Sequence, residues 1–131
     1  MSVRREGNGA AELWRYAIED LVVARQLLAA DEVVPRAVCW HAQQAAEKAL
    51  KSVLAGRAVA FPRTHNLLAL YALLGDECVN VDLRGLAELT AWAVQSRYPG
   101  EWCVPEVADA TRAILAAETI FIALSTMAEP E

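Results

Sequence analysis

The segment HAQQAAEKALKSVL, residues 41–54, combines polar and small apolar residues in a helical pattern. At 100° per residue, an arc of about 80° holds four of its polar side chains, which we name the polar strip: His41, Gln44, Lys48 and Lys51. The neighbouring arc, continued one turn back to Val38, holds small apolar residues, which we name the alanine seam: Val38, Ala42, Ala45, Ala46, Ala49 and Val53. Small residues allow a second helix to approach closely. The segment therefore predicts a helix that packs through the seam and carries the strip along the edge of the core.

The same spacing of apolar residues, three and four apart, extends to both sides of this segment. Five helices are predicted, over residues 10–30, 36–55, 65–74, 83–97 and 105–127. Pro35 suits a helix start, Thr64 is expected to cap the short third helix, and Gly75 is expected to close it. The predicted apolar stripe of the fifth helix comprises Val107, Ala110, Ile114, Ala117, Phe121 and Leu124. Since no segment shows a strand pattern, the predicted fold class is an all-α bundle of about five helices.

The composition is that of a compact globular protein. The chain has 131 residues, of which 56% are hydrophobic and 22% charged, which is enough for one core and too few for two. We expect a disordered polar lead-in over residues 1–9 and a single helical domain over 10–128. The net charge of −5 argues against a protein that coats nucleic acid through bulk positive charge, and leaves room only for a local basic site.

The cysteines and the hydrophobic segments bear on where the protein works. Cys39, Cys78 and Cys103 are odd in number and far apart, which fits neither a disulfide framework nor paired metal ligands. Reduced thiols in the cytoplasm fit best. No hydrophobic segment is long and uninterrupted enough to span a bilayer, so we expect no membrane association.

Several other kinds of chemistry lack their sequence signals. Metal-ligand spacings such as Cys-x-x-Cys are missing, so we expect no metal and no cofactor. Glu19 and Asp20 are neighbours that point in different directions on a helix, which disfavours a joint acid–base role. Without a strand there is no glycine-rich phosphate loop of the usual kind. A bound nucleotide would therefore be held by side chains.

Two lysines and a histidine on the polar strip could hold an anionic ligand. The alternative is that Lys48 and Lys51 extend from the surface into solvent and that His41 is a hydrogen-bonded imidazole at the edge of the core. Both interpretations are compatible with the sequence, because both place these side chains at the boundary between core and solvent.

Two further segments supply candidate ligand-binding residues. Arg63 and His65 lie at the start of the third helix, where His65 could bind a ligand or hydrogen-bond the backbone or the polar strip. Arg97 either stabilises a helix end through the helix dipole or binds phosphate bidentately, with Tyr98 or Trp102 stacking on a base. The predicted ligand-binding set is Gln44, Lys48, Lys51, Arg63, His65, Arg97 and Tyr98.

Four segments carry a resemblance to a known family. They are WRYAIEDLVVARQLL at 14–28, HAQQAAEKALKSVL at 41–54, FPRTHNLLAL at 61–70 and SRYPGEW at 96–102. In this order they resemble the HEPN (higher eukaryotes and prokaryotes nucleotide-binding) family over nearly the whole chain. The resemblance implies an antiparallel, up-and-down helical bundle that is commonly a homodimer with a cleft at its two-fold interface. It also implies a frequent partner, a small nucleotidyltransferase encoded beside it.

Some members of that family are metal-independent endoribonucleases with a motif of Arg, four to six residues and His. In such a site the His moves a proton at the 2′-hydroxyl or the leaving oxygen, and the Arg stabilises the phosphorane charge. After Arg97, which corresponds best by its place in the bundle, this sequence has no histidine. Arg36 and His41 have the spacing, but five residues along one helix place them about 140° apart. The catalytic candidates are Arg36, His41 and Arg97, with the expected base missing after Arg97.

The leading interpretation is a module that binds a nucleotide, RNA or a protein partner, as the HEPN half of a two-component system with a nucleotidyltransferase. One alternative is a toxin-type, metal-independent endoribonuclease. The other is a structural helical dimer without a ligand.

Overall fold

The computed structural model describes residues 9–75, 81–95 and 104–128. These ranges contain no strand and five α-helices: α1 (Ala10–Leu28), α2 (Pro35–Gly56), α3 (Leu67–Ala72), α4 (Leu83–Gln95) and α5 (Val107–Ala128). The all-α fold class and its five helices are confirmed. The lead-in predicted over 1–9 lies outside the described residues except for Gly9, and so do the last two residues predicted for the fourth helix.

Helix α2 runs through the middle of the bundle and contacts each of the other four helices. The start of α1 meets the end of α2, where Ser52 Oγ donates to the Ala10 carbonyl at 2.7 Å, so these two helices are antiparallel. The end of α5 lies beside the end of α2, where the Arg57 guanidinium donates to the Met127 carbonyl at 3.4 Å. Helices α2 and α5 therefore run in the same direction, with α1 running against both.

The alanine seam is the part of α2 that allows this close packing. Every residue of the seam is at most 3% exposed, which confirms the prediction. Because most of these side chains end at Cβ, the neighbouring helices can approach the α2 backbone closely. The largest fully buried apolar side chains come from the end of α2 and from the flanking helices: Leu50, Leu54, Leu67, Leu70, Leu86, Leu89 and Leu124.

The start of α3 differs from the prediction. The helix begins at Leu67, and its N-cap is Asn66, whose side chain accepts from two backbone N–H groups of the first turn at 3.0 and 3.2 Å. Thr64, the predicted cap, instead accepts from the Asn66 N–H at 3.0 Å and forms a turn before the helix. As a result His65 lies in the loop before α3 and not in the helix.

Other boundaries differ by one or two residues. Helix α1 ends at Leu28, and α5 begins at Val107. Val107, predicted as part of the apolar stripe of α5, is 51% exposed, because side chains lean toward the helix N-terminus and one in the first turn projects past the start. Gly75 has a φ of +72°, the conformation expected of a glycine that closes a helix. None of the described helices combines the length and apolar content that crossing a bilayer requires.

Candidate functional site

A buried carboxylate organises one end of the polar strip. Glu47 of α2 is 5% exposed, and both of its carboxylate oxygens accept hydrogen bonds. Oε1 accepts from Gln43 Nε2 at 3.0 Å and from His65 Nδ1 at 2.8 Å, and Oε2 accepts from Lys51 Nζ at 2.8 Å. Gln43 Nε2 also donates to the His65 carbonyl at 3.2 Å. We name these four residues the Glu47 cluster, which fastens the loop before α3 to α2.

The surroundings of Glu47 determine its charge. Burial raises the pKa of this carboxyl group, but hydrogen bonds from Lys51, His65 and Gln43 outweigh burial and bring the pKa below its ordinary value of 4.5. Glu47 is therefore an anion at neutral pH. Because an ionised carboxylate only accepts hydrogen bonds, His65 Nδ1 carries the proton in the bond between them.

A second carboxylate organises the other end of the strip. Asp20 of α1 accepts from His41 Nδ1 at 3.0 Å through Oδ1 and from Lys48 Nζ at 2.6 Å through Oδ2. The Asp20 side chain is 14% exposed, whereas those of His41 and Lys48 are each 31% exposed. We name these three residues the Asp20 cluster. Glu19, the residue before Asp20, is exposed, so the side chains of Glu19 and Asp20 point in different directions.

Gln44 lies on α2 between the two clusters, and its Nε2 donates to Gln43 Oε1 at 2.8 Å. Residues three and four apart on a helix are surface neighbours, so Gln44, Lys48 and Lys51 follow one another along one face. The chain has two lysines and two histidines, and all four lie in these clusters; every other cationic side chain is an arginine. The structure thus brings the strip residues together and adds two carboxylates to them.

The loop before α3 forms the outer edge of the strip. The Phe61 ring lies beside Lys51, with Nζ at 5.8 Å from the ring centroid, which is within the range of a cation–π contact. Arg63 is exposed and has no hydrogen bond or ion pair with the part of the chain that the structure describes. Together the strip, its two carboxylates and Arg63 hold three cations against two anions when the imidazoles are neutral. These five charged residues therefore sum to +1 on a chain of net charge −5.

Of three further candidate residues, one lies apart from the strip and two fall outside the described residues. Arg36 lies exposed in the first turn of α2, so the regular helix separates it from His41 by about 140°. Within one chain these two side chains do not converge on one phosphate. Arg97 and Tyr98 lie outside the described residues, and so does Trp102. A site that combines them with the strip stays a prediction.

Sequence reasoning missed the residues on which the strip is built, namely Asp20, Gln43 and Glu47. Two signals were available. Glu47 precedes Lys51 by four residues, the favourable order for an ion pair along a helix. Asp20 lies at the edge of the apolar stripe of α1, where a carboxylate that loses water needs a partner. The sequence could not predict which side chains Asp20 would meet, because that depends on the register of α1 against α2.

The described residues also enclose a hollow of about 220 Å³ between α4 and α5. Its lining includes Gly85, Glu88 and Arg112, and Arg112 is ion-paired with Glu88 and with Asp109. No member of the two clusters lines it, so the polar strip is a separate, open surface. Among the described residues, no group of three or more His, Cys, Asp or Glu side chains is placed to hold a metal ion.

Comparison with known proteins gives one match. The family model described as HEPN domain matches residues 10–126. No curated protein and no solved structure matches the chain. The matched range begins with the first residue of α1 and ends two residues before the end of α5, so it contains both clusters.

Proposed function

The chain belongs to the HEPN domain family, which is associated with nucleotide and RNA binding, and from this premise we propose that it is a nucleotide- or RNA-binding module of the cytoplasm. One observation carries the proposal. The two lysines and two histidines of the chain each contact one of two carboxylates, Asp20 or Glu47, on a single surface. The exposed Arg63 lies beside them. Phosphate is bound at this surface by Lys48, Lys51 and Arg63.

The carboxylates fix the cations without using up their hydrogen-bonding capacity. An ammonium group has three donors and a guanidinium has five. Lys48 donates to Asp20 alone among the described residues, and Lys51 donates to Glu47 alone. Each lysine can therefore donate further bonds to a phosphate oxygen while its carboxylate holds it in place. Because only three cations are proposed to contact phosphate, we expect a moderate salt dependence, with log affinity falling against log salt with a slope of about −2 on a single strand.

Fluorescence anisotropy of a labelled single-stranded RNA, measured at several salt concentrations, tests this proposal. We expect Arg63→Ala to weaken binding and to reduce the slope of log affinity against log salt by about 0.7, the contribution of one phosphate contact on a single strand. Arg84→Ala is the matched control, because Arg84 is exposed on α4 and belongs to neither cluster. Identical slopes for the wild type and both variants would contradict a phosphate contact at Arg63. The absence of any binding to RNA or free nucleotide would favour the structural dimer.

The imidazoles bound to carboxylates favour a second candidate function, metal-independent endoribonuclease activity. A carboxylate that orients an imidazole prepares it to move protons. The same RNA, incubated with the pure protein in EDTA, would then acquire 2′,3′-cyclic phosphate ends, and His41→Ala would abolish them. If RNA binds and stays intact, the binding module is supported and the endoribonuclease is excluded under those conditions.

We also propose that the protein is a homodimer that forms through α1 and α5. Four apolar side chains on the outer sides of these helices are 41–74% exposed: Ile18, Val22, Leu115 and Ile122. Exposed apolar patches commonly mark interaction surfaces. Light scattering during gel filtration should give a dimer mass for the wild type and a monomer mass for Ile122→Glu, and a monomeric wild type would contradict the proposal.

The second proposed partner is a nucleotidyltransferase-type protein, which follows from the resemblance to two-component HEPN systems. The test is the gene's surroundings and then co-purification. A short nucleotidyltransferase reading frame beside this gene, whose product co-purifies with this chain, would support the two-component role. An isolated gene would count against it.

A further inference from the structure

We propose that Asp20 is a positioning residue which, through His41, makes the polar strip select ribonucleotides over deoxyribonucleotides. The proposal rests on the proposed function, because it assumes that a nucleotide or RNA binds at the strip. It adds a specificity and assigns that specificity to a side chain on a different helix.

Asp20 holds two side chains of α2 next to each other. His41 and Lys48 are seven residues apart, about two helical turns, so they lie on the same face. The two oxygens of the Asp20 carboxylate accept from one of them each, at 3.0 and 2.6 Å. The side chains of His41 and Lys48 are each about twice as exposed as the Asp20 side chain. An imidazole and an ammonium group are thus presented to solvent side by side.

The hydrogen bond to Asp20 also determines which imidazole nitrogen carries the proton. A carboxylate oxygen has no hydrogen to donate, so the hydrogen bond requires that Nδ1 of His41 be the protonated nitrogen. In a neutral ring the other nitrogen, Nε2, is then an acceptor. Lys48, by contrast, can only donate. The pair therefore offers one acceptor beside one cation.

A ribonucleotide presents the complementary pair of groups. Its 2′-hydroxyl can donate a hydrogen bond, and the neighbouring 3′-phosphate is an anion that accepts hydrogen bonds. With the 2′-hydroxyl donating to His41 Nε2 and the phosphate accepting from Lys48, both groups of the pair are satisfied. A deoxyribonucleotide keeps the phosphate contact and loses the hydroxyl contact, and a 2′-O-methyl ribonucleotide has an oxygen that cannot donate.

The sign of one effect separates this role from simple electrostatics. If the strip attracted nucleic acid by charge alone, the Asp20 carboxylate would repel phosphate, and its removal would strengthen the binding of RNA and DNA equally. A positioning role predicts instead that removal of Asp20 weakens RNA relative to DNA, because His41 is no longer held as an acceptor.

The experiment compares three labelled strands of one sequence, as RNA, DNA and 2′-O-methyl RNA, by anisotropy in EDTA at pH 8, above the usual titration range of histidine. We expect the wild type to bind RNA about three- to ten-fold more tightly than the other two, the effect of one hydrogen bond. Asp20→Ala should reduce this ratio to less than about two-fold. Glu19→Ala is the matched control, since it removes an exposed carboxylate from the adjacent position of α1, and it should keep the RNA preference.

The possible failures are distinguishable. Equal binding of the three strands by the wild type would refute the ribose selectivity and leave the binding function standing. No binding of any strand would refute both proposals. A normal RNA preference in Asp20→Ala would show that Asp20 does not act through His41.

Two further measurements test the proposal even if Asp20→Ala does not fold. Asp20→Asn keeps an oxygen that can accept from His41, so it should retain the RNA preference. Long-range proton–nitrogen correlation spectra of the wild type at pH 8 report the protonation of each ring nitrogen. We expect His41 to carry its proton on Nδ1, and a ring protonated on Nε2 alone would overturn the proposal.

Discussion

Replacement of Glu47 by alanine tests how strongly the Glu47 cluster holds the fold together. The Glu47 side chain is buried and accepts three hydrogen bonds, from Gln43, Lys51 and His65. A hydrogen bond to a charged group contributes roughly 1.5–3 kcal/mol. The side chains of Lys51 and His65 are 18% and 39% exposed, so water replaces part of what they lose. We expect the free energy of unfolding to fall by about 2–4 kcal/mol.

Thermal unfolding followed by circular dichroism measures this effect. For a domain of this size, 1 kcal/mol corresponds to a Tm change of roughly 3–5 °C, so Glu47→Ala should lower the Tm by roughly 6–20 °C. Glu19→Ala removes an exposed carboxylate from α1 and should change the free energy of unfolding by less than about 0.5 kcal/mol. If the two variants unfold at the same temperature, the cluster does not stabilise the fold and our account of it is wrong.

The same carboxylate makes a pH-dependent contribution whose sign is fixed. The pKa of Glu47 is lower in the folded chain than its ordinary value of 4.5, so the unfolded chain binds a proton more readily. Its contribution to stability is complete above pH 4.5 and is lost as the pH falls through the folded-state value. The stability difference between wild type and Glu47→Gln should therefore be largest at neutral pH and shrink below pH 4.5. A difference that stays constant down to pH 3 would contradict the lowered pKa.

Three further predictions concern the core, a helix cap and a buried thiol. Ala46→Leu enlarges a fully buried residue of the seam, and urea titration should show a loss of about 1–3 kcal/mol; an unchanged midpoint would mean that the seam has room to spare. Asn66→Ala removes the cap of α3 and should lower the free energy of unfolding by about 1 kcal/mol, more than Thr64→Ala does. Burial, assisted by the charges of Asp109 and Glu88, raises the pKa of Cys39 to about 12. In a variant that lacks the other two cysteines, Cys39 should react with a thiol reagent at pH 8 only after urea is added, and fast reaction of the folded protein would refute this.

The fold could be predicted from local sequence because α2 repeats one signal over many turns. The alanine seam and the polar strip differ in composition and lie on adjacent arcs, so the period alone assigned one to the core and the other to its edge. The cap of α3 was harder to predict, because Thr64 and Asn66 are both residue types that cap helices. The choice between them depends on Leu67, which is fully buried in the core and fixes where the helix starts.

The site was predicted only in part, for a different physical reason. A period identifies which side chains share a face of one helix, and it correctly grouped His41, Lys48 and Lys51 on α2. The partner of Lys51 is Glu47 of the same helix, and the four-residue spacing of this pair is a local signal. The other contacts come from other segments of the chain. Asp20 arrives from α1 through the register of helix packing, and His65 arrives from a loop whose path is set by the start of α3. Such contacts depend on tertiary structure, so no local pattern could predict them.

The two carboxylates distinguish the lysines of the strip from lysines that only keep a protein soluble. Lysines that only keep a protein soluble extend into solvent without fixed partners, and this chain uses arginine for every cation outside the strip. Burying Glu47 costs hydration energy, and an apolar residue at such a position is often equally stable or more stable. An apolar residue at either position would not hold the side chains that Asp20 and Glu47 hold. The two carboxylates hold two lysines and two imidazoles in fixed positions. The proposed recognition of a phosphate beside a 2′-hydroxyl requires such an arrangement, whereas bulk attraction of anions does not.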